Sequence, residues 1–139
     1  MSLREISAWI MAGVMIVIGV SYLMTYLAAY RTLGGAIPPP AQFVSYAALA
    51  LTAIIVVEVV LAIVAPKAAD QQPDERERPQ LWRAGHWAGL VQGGLCIAAL
   101  LYVARNGGAA NLFHMVAAGL IISQIAEYVL QISFLRRSA

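Results

Sequence analysis

The amino-acid sequence predicts an all-α polytopic membrane protein, with four transmembrane helices in an antiparallel bundle. Three observations lead there. Of 139 residues, 61% are hydrophobic and only 12% charged, where a soluble domain carries about 25% charged residues. Four apolar runs, residues 7–30, 43–65, 84–104 and 112–135, are each long enough for the roughly 20 residues that cross a hydrocarbon core. Stretches rich in glycine, proline or charge separate the runs and end helices. Residues 1–139 therefore read as a single integral membrane domain whose surroundings are the lipid bilayer.

The first run follows Arg4 and holds no charge from Ser7 to Tyr30. It is longer than the roughly 7–15 residues of a secretory signal's apolar core and carries Tyr22, Tyr26 and Tyr30 at helical spacing, so it reads as a retained span. Residues 31–42, RTLGGAIPPPAQ, combine two glycines with three prolines, giving a turn and then a stiff extended stretch. The second span, 43–65, is built from Val, Ile, Leu and Ala with one charge, Glu58, and Pro66 stops it. Residues 66–83 are the only strongly polar stretch, setting Lys67, Arg76 and Arg78 against Asp70, Asp74, Glu75 and Glu77, and read as a solvated loop. The third span, 84–104, carries Gln92 and the pair Gly93 and Gly94. A short loop with Gly107 and Gly108 leads to the fourth span, 112–135, which Arg136 and Arg137 close.

Four spans put both termini on one side. Seven of the nine basic residues fall on that side, with only Arg31 and Arg105 opposite. The positive-inside rule then makes the termini and the polar loop cytoplasmic. Trp9, Trp82, Trp87 and Phe134 mark the inner boundary, and Tyr30, Phe43, Tyr46, Tyr102 and Phe113 the outer one.

A weak internal repeat points to a duplicated two-helix hairpin. Glu58 opens E-V-V-L-A-I and Glu127 opens E-Y-V-L-Q-I, while Ala12-Gly13 matches Ala88-Gly89. Both copies start on one side, so a pseudo-two-fold axis would run along the membrane normal. Glu58 and Glu127 would lie roughly 10–12 Å from the cytoplasmic ends of their helices, with Gln92 at a similar level. On the fourth helix Gln124, Glu127 and Gln131 recur at i, i+3 and i+7, with Ser123 one turn above Glu127, forming one stripe that should face protein.

Two readings of this polar layer stay open. A low-dielectric layer favours the neutral form of a carboxyl group, and intramembrane carboxyls relay protons or bind cationic ligands. Glu58, Gln92, Gln124 and Glu127 are on that view ligand- or proton-binding candidates. Alternatively the same four hydrogen-bond one another and hold helices, or copies of the chain, in register. Gly13, Gly89, Gly93 and Gly119, with Gly19 and Gly94, read as close-packing positions.

Other chemistry finds little support. Cys96 sits within an apolar run and reads as a small buried hydrophobe. His86 and His114 start their helices from opposite sides, roughly 20–25 Å apart, and read as interfacial polar residues rather than a haem pair. No nucleophile with a base, phosphate-binding glycine loop or zinc-spaced ligand set is written in the chain. No catalytic residue, metal or cofactor is therefore expected. A net charge of +2 without a basic stripe gives no nucleic-acid partner.

Asp74-Glu75-Arg76-Glu77 before the third span, with Gln131, Phe134 and Arg136-Arg137 ending the fourth, resembles a group of small bacterial four-span inner-membrane proteins of unknown function. Those proteins carry an Asp-Glu-Arg-Asp/Glu cytoplasmic loop. The resemblance covers roughly residues 70–139 and departs at Pro79, where that pattern has an apolar residue, which leaves the start of the third helix open. It implies a bacterial inner-membrane location and the four-span fold, and no activity. Two functions follow from the whole reading. One is a non-enzymatic accessory or scaffold protein that docks onto itself, as a homo-oligomer, or onto a larger membrane complex. The other is a small proton-coupled transporter or channel using Glu58 and Glu127.

Overall fold

A computed structural model of the chain describes residues 3–64, 75 and 77–138, without the side chains of residues 3, 4, 58, 61, 77, 137 and 138. The described chain is helical apart from its turns and the loop before Pro40: α1 (Leu3–Thr32), a 3-10 turn at Pro40–Phe43, α2 (Val44–Val64), α3 (Glu77–Asn106) and α4 (Ala109–Ser138). All four α-helices are long and apolar enough to cross a membrane. In lipid only a helix or a closed barrel satisfies every backbone N–H and C=O, and these sequences are apolar nearly all round, as membrane helices are.

The helices run past the limits set by hydropathy. Helix α3 begins at Glu77, so residues 77–83 of the expected loop are helical. Pro79 lies in the first turn, where no intrahelical N–H bond is required of it, and charged residues continue the helix beyond the apolar stretch. Most of the acidic and basic run, including Asp70, Asp74 and Arg76, lies outside the described residues. At the other end of the chain, α1 closes on Gly34, whose φ of 63° only glycine adopts freely. The Gly35 N–H donates to Tyr30 O and the Gly34 N–H to Arg31 O, the paired capping bonds of a Schellman motif.

Helix α4 is the centre of the packing. Its most extensive contacts are with α3 and then with α1, while α2 packs chiefly on α1. The spatial order is therefore α2, α1, α4, α3, each antiparallel to its neighbour. Gly107 and Gly108, both at positive φ, make the tight turn between α3 and α4. The core follows one face of α1, through Ala8, Met11, Ala12, Met15, Ile18 and Tyr22, and meets Ile132 and Leu135 of α4. On α3 the buried face carries Ala84, Ala88 and Ala99, small residues that let two backbones approach. The two hairpins are packed unequally, α3 with α4 closely and α1 with α2 loosely.

At the side holding both termini, Arg136 Nε donates to Glu5 Oε1 over 2.8 Å, and the guanidinium stands 5.6 Å from the Trp9 ring centroid. Glu5 is buried there. The bond ties the first turn of α1 to the last turns of α4.

Candidate functional site

The polar residues of α4 arrange themselves as their spacing dictates. Gln124 Nε2 donates to Glu127 Oε2 and Gln131 Nε2 to Glu127 Oε1, each over 3.2 Å. Both carboxylate oxygens are thus held by amides of the same helix. The carboxylate faces α3 at Gly85, where an added Cβ would stand 3.9 Å from Glu127 Oε1.

Gln92 does not join this group. It meets Ser123, whose Oγ lies 2.7 Å from Gln92 Oε1 and 3.0 Å from Leu120 O, two acceptors competing for one hydroxyl proton. The Gln92 amide donates to Cys96 Sγ over 3.1 Å, so the half-buried cysteine serves as a weak acceptor. The single layer expected from sequence is two layers, one to two helical turns apart, ~6–10 Å at 1.5 Å per residue. Antiparallel register causes this: Ser123 stands opposite Gln92, and Glu127 opposite Gly85. Glu58 belongs to α2, and its side chain lies outside those described. Its helix packs chiefly on α1, whereas Glu127 faces α3.

The glycines divide as well. At Gly119 a Cβ would meet Leu95 Cβ at 3.3 Å, and at Gly19 it would meet Ile121 Cγ2 at 2.8 Å. These two are close-packing positions. Gly13, Gly89, Gly93 and Gly94 have no neighbour among the described residues within 4 Å of such a Cβ. The α3 face toward α4 is the Ala84, Ala88, Gln92, Leu95 and Ala99 face, and Gly89 and Gly93 are turned away from it.

Sequence reasoning missed a second cluster, at the opposite end from the termini. His114 is 6% exposed, enclosed by the protein's own side chains. Its Nε2 lies 2.9 Å from Pro38 O and its Nδ1 2.6 Å from Tyr22 Oη. A carbonyl only accepts, so Nε2 carries a proton, and in the Nε2–H tautomer Nδ1 accepts from the Tyr22 hydroxyl. Tyr26 and Phe43 stand edge-on to the imidazole at 4.9 and 4.8 Å. Phe43, expected at the lipid boundary, is buried in this cluster. Tyr46 packs against Phe43 and shares a 2.6 Å hydrogen bond with Thr25 Oγ1. One imidazole thereby joins α1, the proline loop, the 3-10 turn before α2 and α4. The clue in the sequence was three tyrosines at helical spacing on α1 and a Pro-Pro-Pro loop long enough to fold back over them.

A groove of about 470 Å³ runs beside this cluster between α1 and α4, and smaller apolar grooves lie by Gly13. Gln92, Gln124 and Glu127 line none of them. Among the described residues no group of His, Cys, Asp and Glu is placed to hold a metal ion. Comparison with protein-family models, with curated proteins and with solved structures gives no match to this chain.

Proposed function

We propose that this chain is a non-enzymatic integral membrane protein that acts as an accessory or scaffold subunit, through helix–helix contacts in the bilayer with copies of itself or with a larger membrane complex. The observation that carries the reading is that the intramembrane polar groups bond to one another. Ser123, Gln92 and Cys96 form one set, and Gln124, Glu127 and Gln131 another. Of these bonds, Ser123 Oγ to Gln92 Oε1 crosses from α4 to α3, and an interhelical bond of this kind fixes helix register.

A transported proton needs a path to its carboxylate, and Glu127 lines none of the grooves described, which weighs against proton-coupled transport through Glu127. Outward faces of α2 and α3 meanwhile carry large apolar side chains, Ile63, Val64, Leu100 and Leu101 among them, available to lipid or to partner helices. The charge distribution supports cytoplasmic termini, and the resemblance of residues 70–139 to small four-span proteins supports a bacterial inner membrane.

Native mass spectrometry of the tagged chain, extracted gently from its own membranes, tests the proposal. A defined complex with other polypeptides or a defined homo-oligomer is expected. A chain recovered only as a monomer would overturn it.

A further inference from the structure

The groove between α1 and α4 is lined by Tyr22 and His114 of the buried cluster but by none of Gln92, Gln124 and Glu127. Its volume of about 470 Å³ falls within the roughly 300–1,000 Å³ of small-molecule sites. From Ile16 and Ile125 upward the walls are apolar, and polar groups enter only at the end away from the termini. Ile16 to Tyr26 spans ~15 Å of helix, a length that suits an extended chain.

The polar end is selective. Tyr22 and His114 bond to each other and to Pro38, but the Tyr26 hydroxyl and the Asn111 amide make no hydrogen bond to another described residue. Asn111 Nδ2 is held against the α3–α4 turn, 2.9 Å from where a Cβ on Gly108 would stand. No charged side chain lines the groove. A bare hydrocarbon chain would offer the amide and the hydroxyl no hydrogen bond, and a phospholipid would bring a phosphate with no cation among the lining residues. An uncharged ring bearing carbonyl acceptors fits both donors, and the half-buried Tyr26 ring lines the same end of the groove.

We propose that this groove binds an isoprenoid quinone from the bilayer, its chain along α1 and α4 and its ring carbonyls accepting hydrogen bonds from Asn111 and Tyr26. Binding alone is assigned, with no electron transfer. The reading stands apart from the accessory role, because a scaffold needs no ligand and a quinone site needs no partner chain.

The test uses the full chain in detergent with a decyl-substituted benzoquinone as probe. Saturable binding is expected, weakened about tenfold by Asn111→Leu, the loss of one hydrogen bond, and abolished by Ala118→Phe, which fills the groove. Photolabelling the unaltered chain with an azido derivative should mark peptides within residues 16–26 and 111–125, a readout that needs no variant to fold. Four results would each overturn the proposal: no saturable binding, label confined to α2 or α3, equal competition by decylbenzene, or equal displacement by phosphatidylglycerol.

Discussion

His114 has different company at each ring nitrogen, and its partners are far off in sequence. Tyr22 is 92 residues away and Pro38 76, separations that no helical or strand periodicity reveals. Gln124, Glu127 and Gln131, by contrast, sit within two turns of one helix, and their shared stripe was legible from spacing alone. Tyr22→Phe removes the donor to Nδ1 inside a buried cluster and should cost about 1–3 kcal/mol, seen as a lower melting temperature in detergent. Tyr26→Phe serves as control: its hydroxyl bonds to no described residue, so the change should stay within about 0.5 kcal/mol. Nitrogen-15 spectra of the histidines should show a single Nε2–H tautomer for His114, and a mixture once Tyr22 is Phe.

Helices were the most legible elements, because an apolar run of bilayer length has few other structures open to it. Their ends were not legible. Hydropathy marks where lipid stops, whereas a helix continues into water for as long as its residues tolerate it, as α3 does through Arg78 and Arg83. The packing partner of each helix was also hidden, since four sequences apolar on every side do not show which face meets protein. Helix α2 exposes that gap: Leu49, Leu51, Ile55, Val56, Val59 and Val60 all remain outward, and its polar ties to α1 run through Tyr46, to Thr25 Oγ1 and to Ser21 O. Local opening follows sparse packing. Hydrogen-exchange mass spectrometry should find α2 amides exchanging ahead of those of α4, with Tyr46→Phe speeding α2 several-fold and leaving α3 and α4 unchanged.

At the scale of the whole molecule, the order α2, α1, α4, α3 separates what holds the fold from what faces outward. Glu5 and Arg136 fasten one end, the His114 cluster fastens the other, and Gly119 sets the approach of α3 to α4 between them. A larger side chain at Gly119 must displace Leu95, whose Cβ would lie 3.3 Å from the new one, so Gly119→Leu should destabilise the chain by about 1–3 kcal/mol. Among the described residues, no atom lies within 4 Å of a Cβ placed on Gly89 or Gly93. The double variant Gly89→Leu with Gly93→Leu should therefore keep its melting temperature, to within about 0.5 kcal/mol of stability. Its assembly is a separate quantity: under the accessory reading, these glycines allow a partner helix to approach α3, and two leucines would hold that helix away. Native mass spectrometry should then show the folded double variant stripped of its partners, whereas Gly119→Leu loses fold and partners together. A double variant that melts normally and still assembles would move the docking surface from α3 to the bare outer face of α2.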